Sequence, residues 1–84
     1  MGRSAREKPR KLARKLKAIR VDELGLSQTE MAKALGLTIN YSAVSQYERG
    51  TREPSLLILL KYARLVGVST DALIDDKLEL FPKK

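Results

Sequence analysis

Short segments that begin with a capping side chain and end at a glycine constrain this chain more than any other feature of its sequence. Ser27 and Glu30 have the spacing of a capping box, in which each side chain bonds a backbone amide that the helix leaves unpaired. Gly36 suits the left-handed residue that closes a helix. The pattern predicts a short helix that begins after Ser27 and ends at Leu35.

Three further helices have the same kind of start. We place them after Asn40, Ser55 and Ser69, at residues 41–49, 56–66 and 70–74. Gly50 and Gly67 then end the first two of these helices. Helices this short cannot bury an apolar face alone, so they must pack against one another.

An amphipathic helix precedes this series. Leu12, Leu16 and Ile19 recur at i, i+4 and i+7 among Lys and Arg residues, which predicts a helix over residues 10–21. The sequence therefore predicts an all-α fold of five helices. We divide the chain into a flexible basic arm (residues 1–9), a helical domain (10–75) and a tail (76–84). The alternating apolar residues of the tail leave a strand or an extended packing segment open.

The composition excludes several classes of protein. The chain has no cysteine and no histidine, so disulfides, thiolate metal sites and the commonest acid, base and zinc ligand are all absent. The spacing of Ser, Lys and carboxylates suggests no nucleophile and base pair. No apolar run approaches the roughly 20 residues of a membrane span. We expect a cytoplasmic protein that is not an enzyme and that needs no metal or cofactor.

Positive charge is concentrated at the beginning of the chain. The net charge is +7, and residues 1–20 hold nine Lys and Arg against the single Glu7. Clustered cations release counterions from nucleic acid and so favour a polyanionic partner. A solubilising tail is the alternative for Arg3, Arg6 and Lys8, because a charge run alone is weak evidence.

The third helix has one apolar and one polar side. At about 100° per residue, Ala43, Val44 and Tyr47 fall on one face and predict its buried side. Polar groups occupy the rest of the helix. They are Tyr41, Ser42, Ser45, Gln46 and Arg49. We expect these side chains to point away from the core.

Two blocks of this sequence resemble the phage-repressor and Cro-like (Xre-type) helix-turn-helix family. They are LGLSQTEMA at residues 24–32 and VSQYERGTREPS at residues 44–55. The resemblance extends over about residues 12–74. It implies a compact lambda-repressor-like domain in which the helices at 28–35 and 41–49 form a helix-turn-helix DNA reader.

The resemblance implies that the polar side of the third helix faces the major groove of double-stranded DNA. There Gln reads adenine, Arg reads guanine and Ser reads either. Gln46 is the leading base reader, whereas Arg49 has phosphate as an alternative and Tyr41 a thymine methyl or a phosphate. Family members use the position of Gln28 against phosphate.

Two other residues assigned to the DNA backbone have an alternative explanation. Ser27, as the cap beside Gln28, is assigned with it to phosphate, although capping alone would explain its presence. Arg52 is assigned to the DNA backbone on the other side of the third helix, with an ordinary solvated loop charge as the alternative.

The resemblance also implies a structural ion pair between Arg20 and Glu48. Two departures from the family pattern bear on the geometry. The turn between Gly36 and Val44 is two residues longer than usual, and one extra residue lies between Arg20 and Gln28. The second departure puts the ion pair in question.

The fourth helix has more apolar residues than one face can bury. We expect its core stripe at Leu56, Leu59, Leu60, Ala63 and Val66. A second stripe comprises Ile58, Tyr62 and Leu65. Either the tail residues Leu78, Leu80 and Phe81 cover it, or it packs with them against another copy of the protein.

The sequence thus predicts a DNA-binding transcription regulator, acting as a repressor and as a homodimer on a palindromic operator. The alternative is the DNA-binding antitoxin of a toxin–antitoxin pair, with a toxin protein bound by the second stripe or the tail. Attachment to a membrane surface is disfavoured, because the first helix has a thin apolar face without Trp or Phe.

Overall fold

The computed structural model describes residues 9–37 and 42–81, and within them the chain forms five α-helices and no strand. The helices are α1 (Leu12–Ala18), α2 (Gln28–Ala34), α3 (Ser42–Arg49), α4 (Leu56–Val66) and α5 (Thr70–Ile74). The predicted bounds of α4 and α5 are confirmed, and α2 ends at Ala34, one residue before the predicted end at Leu35, which is its C-cap. Asn40, the predicted cap of the third helix, lies outside the described residues.

The predicted serine caps are present. Ser27 Oγ accepts a hydrogen bond from Glu30 N at 3.0 Å, and Ser27 N donates to Glu30 Oε1 at 2.8 Å. The bonds from Ser27 lower the pKa of the Glu30 carboxyl below its usual range. Ser55 and Ser69 cap α4 and α5 in the same way, through the amides three residues later.

Gly36 closes α2 with a φ of +79°, a conformation that L side chains rarely adopt. Lys61 of α4 also binds this helix end, since its Nζ donates to the Leu35 carbonyl oxygen at 3.0 Å. A cation at a helix C-terminus satisfies a free carbonyl and complements the helix dipole. The end of α2 is therefore attached to α4.

A π-helical turn, Ile19–Glu23, continues α1 where a longer α-helix was predicted. Leu24 N donates to Ile19 O at 3.0 Å, a bond that spans five residues rather than four. A π turn holds one more residue than an α-helical turn can in the same length. The π turn lies in the segment between Arg20 and Gln28 that has one residue more than the family pattern.

The core lies where the short helices meet, and it contains the residues expected from α1 and α3. Its members are Leu12, Leu16, Ile19, Met31, Ala32, Leu35, Ala43, Val44, Tyr47, Leu59, Tyr62, Ala63 and Leu73. None of the five helices is long enough to be stable alone. Each helix is stabilised by the apolar area that it buries against its neighbours.

The predicted orientation of α4 is wrong in two places. Leu56, expected in the core, is 82% exposed, whereas Tyr62, expected in the dimer interface, is fully buried. The buried face of α4 is centred between the two predicted stripes, on Leu59, Tyr62 and Ala63. Because nearly every residue of this helix is apolar, periodicity left its rotation undetermined and packing decided it.

The remaining residues of the predicted second stripe and tail divide between two environments. Ile58 and Leu80 are half-buried and pack against the core, so they are poor candidates for an open interface. Leu65, Leu78 and Phe81 are each at least 40% exposed. Residues 76–81 form turns and bends, so the tail packs in part without forming a strand.

A polar junction joins the tail to the first helix. The carboxylate of Asp76 accepts hydrogen bonds from the backbone amides of Arg10 at 2.9 Å and Lys11 at 3.0 Å. Lys15 Nζ donates to the carbonyl oxygens of Ala72, Asp75 and Leu78, at 2.7, 3.0 and 2.8 Å. We call these contacts the terminal junction. Sequence reasoning did not predict it.

Lys15 is 7% exposed, which is unusual for a lysine. Burial lowers the pKa of its ammonium group, and the nearby Asp76 carboxylate opposes that shift. An ammonium has three N–H donors, and the three carbonyl oxygens use all of them. The signal was present in the sequence, because Lys15 lies at i+3 from Leu12 on the apolar stripe of the first helix.

Candidate nucleic-acid interface

The two sides of α3 differ in burial as the sequence predicts. Ala43, Val44 and Tyr47 lie in the core at 1%, 0% and 4% exposure. On the other side Ser42 and Arg49 are exposed, and Ser45 and Gln46 are half-buried. Tyr41 lies outside the described residues. One side of α3 therefore carries hydroxyl, amide and guanidinium groups, and the opposite side is apolar and packed in the core.

The C-terminal end of α3 is fixed to the loop that follows it. The Gln46 carbonyl oxygen accepts from Thr51 N at 3.1 Å and from Thr51 Oγ1 at 3.3 Å. These bonds satisfy a carbonyl that the helix end would otherwise leave free. The loop carries Arg52, which is exposed. Arg52 lines a surface hollow together with Gly50 and the start of the described chain at Pro9 and Arg10.

An ion pair holds α3 against the turn that follows α1. Arg20 Nε donates to Glu48 Oε2 at 2.6 Å and Arg20 Nη2 donates to Glu48 Oε1 at 2.9 Å. Arg20 Nη1 also donates to the Leu26 carbonyl oxygen at 2.9 Å. The two side chains are 12% and 5% exposed. The extra residue between Arg20 and Gln28 does not prevent this ion pair. Arg20 lies in the π-helical turn and bonds Glu48 from there.

Gln28 belongs to the same group. Its Nε2 donates to Glu48 Oε1 at 3.3 Å, so Glu48 contacts both the arginine behind it and the first residue of α2. The hydrogen bonds that Arg20 donates to Glu48 raise the pKa of Arg20 above its usual value, and the guanidinium stays charged. Arg20, Gln28 and Glu48 therefore form one hydrogen-bonded cluster, which joins the turn after α1 to α2 and α3.

Tyr62 of α4 lies near the Arg20 and Glu48 side chains of this cluster. Its hydroxyl is buried and has no hydrogen-bond partner among the residues that the structure describes. Burial, and next the Glu48 carboxylate, raise the pKa of Tyr62 well above its usual value. The hydroxyl is neutral at any physiological pH. Helical periodicity does not predict the burial of Tyr62 in the core, because it places this residue on the second apolar stripe of α4.

The other predicted DNA-contacting residue on α2 has a structural role of its own. Ser27 is exposed, and its hydroxyl oxygen caps α2. A hydroxyl can donate its proton while it accepts, so the cap does not prevent a bond to an anion. Ser27 and Gln28 therefore lie next to each other where α2 begins, with Gln28 held by Glu48.

The described part of the chain has no group of acidic residues arranged to hold a metal ion. None of the helices in residues 9–37 and 42–81 is long and apolar enough to cross a bilayer.

The contact between α2 and α3, with α3 polar on its outer side, is the arrangement of a helix-turn-helix protein. The family model described as helix-turn-helix matches residues 16–73 of this chain. The chain belongs to the helix-turn-helix family, whose members are DNA-binding transcription regulators and not enzymes. The family resemblance and the all-α, lambda-repressor-like fold predicted from the sequence are confirmed.

One relative is the SPbeta prophage-derived uncharacterized HTH-type transcriptional regulator YonR of Bacillus subtilis (strain 168). It is 44% identical over 50 residues, which are 60% of this chain. The matched segment covers 44% of the length of YonR, so the likeness concerns less than half of that protein.

Two solved structures have the same fold. The N-terminal DNA-binding domain of SinR from Bacillus subtilis has a TM-score of 0.67 and 31% identity, over 82% of this chain and 97% of that one. The P22 c2 repressor, in complex with a synthetic operator, has a TM-score of 0.65 and 28% identity, over 77% and 94% of the two chains.

Proposed function

We propose that this protein is a sequence-specific transcriptional repressor that inserts α3 into the major groove of double-stranded DNA. The carrying observation is the outer side of α3, where polar groups lie over a helix face that is fully packed. The major groove of B-DNA admits one α-helix and presents a different donor and acceptor pattern for each base pair. The likeness to the P22 c2 repressor, a protein solved with its operator, supports the proposal.

The base-reading residues in this proposal are Tyr41, Ser42, Ser45, Gln46 and Arg49. Gln46 lies at the middle of α3 and can bond adenine through both its amide groups. Ser42 and Ser45 lie about one helical turn apart and can bond any base edge within reach. Arg49, at the end of the helix, can reach a guanine or a phosphate.

The backbone-contacting residues in the proposal are Ser27, Gln28 and Arg52. The hydrogen bond from Gln28 to Glu48 supports this role, because it orients the amide before DNA arrives and reduces the entropy lost on binding. Arg52 follows α3 by one short loop. Contacts on both sides of α3 would fix its register in the groove without reading sequence.

We further propose that the protein acts as a homodimer, with the second copy at the N-terminal turn of α4. Leu56 and Leu57 are 82% and 71% exposed, and Ile74 beside them is 41% exposed. Leu65, Leu78 and Phe81, the exposed remainder of the interface expected from the sequence, are less exposed than the two leucines. Apolar side chains this exposed at adjacent positions favour a protein partner.

The position of Leu56 and Leu57 also favours a second copy. They follow α3 by one loop, so a two-fold axis there would set two α3 helices side by side for half-sites about 34 Å apart on a palindromic operator. The antitoxin alternative gains no support from the relatives described above, which are transcription regulators and a repressor.

Selection of bound fragments from a random pool of duplexes tests the proposal. We expect one preferred site with two inverted half-sites. Gln46→Ala should then weaken binding to that site by about 1–3 kcal/mol and leave the affinity for a scrambled duplex nearly unchanged. Thermal unfolding of both proteins checks that the fold is intact. Equal losses on the two duplexes would show that Gln46 does not read bases.

A further inference from the structure

The helix-turn-helix unit, α2 and α3, meets α4 through apolar side chains. α2 packs closely with α3, whereas α4 packs closely with α5 and with the π-helical turn. Leu59, Tyr62 and Ala63 of α4 share the common core with the buried residues of the unit. Apolar burial has no preferred direction, so it fixes the angle between the unit and α4 less tightly than a hydrogen bond does.

Lys61 supplies a directional bond between α4 and the unit. Its Nζ donates to the Leu35 carbonyl oxygen at 3.0 Å, at the C-cap of α2. Gly36 follows with a φ of +79°, and a Cβ atom built on it would lie 3.2 Å from Lys61 Nζ. The glycine therefore closes α2 and also leaves room for the ammonium beside the helix end.

The unit is thus attached to α4 at two separate places. One is the loop of residues 50–55, which leads from α3 into α4. The other is Lys61, at the end of α2. Two attachments fix an orientation that one alone leaves free to rotate. Because α4 begins with Leu56 and Leu57, the residues proposed for the dimer contact, the same helix carries that contact and Lys61.

We propose that Lys61 is a positioning residue for DNA binding: by holding the end of α2 against α4, it fixes the angle between α3, the reading helix, and the dimer contact. It thereby sets the half-site spacing that the homodimer accepts. This inference rests on the proposed function. Each base pair added between two half-sites moves one of them by about 3.4 Å and turns it by about 35°. A rigid dimer accepts one spacing, whereas a loosely joined one tolerates several.

Binding of three duplexes tests the inference. They carry the two preferred half-sites at the selected spacing, and with one base pair added or removed. The proteins are the wild type, Lys61→Met, Lys61→Arg and the control Arg64→Met. Methionine keeps most of the length of the lysine side chain and removes the ammonium. Lys61 and Arg64 are both exposed on α4, so Lys61→Met and Arg64→Met remove the same charge from the same helix.

We expect Lys61→Met to bind the selected spacing about five-fold more weakly than Arg64→Met, because a loosely attached unit loses more freedom when it binds. It should bind the two altered spacings and a scrambled duplex as well as Arg64→Met does, so its preference for the selected spacing falls by the same factor. Lys61→Arg should keep most of the wild-type preference, since a guanidinium also donates N–H groups to a carbonyl oxygen. Thermal unfolding gives the Tm of each protein, and binding is measured well below it.

Two results would overturn the inference. If Lys61→Met keeps the spacing preference of Arg64→Met, then Lys61 does not set the angle of the reading helix. If Lys61→Met weakens binding to every duplex by one factor, the scrambled duplex included, then Lys61 acts through charge or stability and not through position. A wild type that selects no pair of inverted half-sites would instead overturn the proposed homodimer, and that result needs no variant.

Discussion

Replacing Glu48 by Gln tests whether the Arg20–Glu48 pair holds the reading helix in place. The substitution keeps the size of the side chain and removes its charge. Arg20 would then keep a full positive charge while 12% exposed, with the Leu26 carbonyl oxygen as its remaining strong acceptor. The amide of Gln at position 48 would also point a donor toward either Arg20 or Gln28.

The magnitude follows from burial. Breaking a buried ion pair by removing one partner costs about 3–5 kcal/mol, because the other charge stays desolvated and unpaired. The pair here is partly buried and has two short bonds, so we expect about 3 kcal/mol, the lower end of this range. A domain of this size has a total stability of roughly 4–13 kcal/mol. The loss corresponds to a decrease in Tm of roughly 12–24 °C.

Urea unfolding at neutral pH measures this loss, and DNA binding well below the new Tm separates it from any effect on recognition. The matched control is the double variant Arg20→Met with Glu48→Leu, which removes both charges and keeps apolar volume. It should be more stable than Glu48→Gln, since replacing a whole buried pair is often neutral. A loss under about 1 kcal/mol for Glu48→Gln would refute the reasoning, because that is the range of exposed pairs.

Three further predictions concern stability. Ser27→Ala should cost about 1 kcal/mol in urea unfolding through loss of the capping box, and a loss confined to DNA affinity would contradict the capping role. Tyr62→Phe removes a buried hydroxyl with no partner in the described part of the chain, so it should leave stability unchanged or raise it by up to about 1 kcal/mol; a clear loss would show that the hydroxyl is bonded. Because the amides of Arg10 and Lys11 lower the pKa of Asp76, its contribution to stability is present above the unfolded pKa of about 3.9 and is lost as the pH falls through the folded value. Wild type and Asp76→Asn should therefore differ in urea unfolding at about pH 6, and the difference should shrink as the pH falls through the folded pKa of Asp76. A difference independent of pH would contradict the assignment.

The parts of the fold that sequence predicted are those decided within one helical turn. The capping of α2 by Ser27 and Glu30, and the closure of α4 by Gly67, depend on backbone amides and carbonyls at most five residues away. The two sides of α3 were predictable for a similar reason. Its apolar residues are few enough that only one face can be buried.

The parts that sequence did not predict depend on packing between distant residues. The rotation of α4 follows from the fit of Tyr62 into the core, which a helix apolar on every side does not reveal. The terminal junction links Lys15 and Asp76 to partners 57 to 66 residues away. From helical periodicity alone, a lysine on an apolar stripe is an unpaired charge facing the core. The three carbonyl oxygens that accept from Lys15 Nζ explain why the burial of this side chain is tolerated.

Glu48 makes stability and recognition hard to separate in this domain. The same carboxylate holds Arg20 behind α3 and orients Gln28 at the start of α2. Under the proposed function, replacing Glu48 alone should therefore weaken binding to every duplex, both by destabilising the protein and by releasing Gln28, the residue proposed to contact phosphate. A base-reading residue has a different signature, since its loss changes the ratio of affinities for preferred and scrambled duplexes. That ratio, measured below the Tm of each variant, is the quantity that assigns a role to each polar residue of α3.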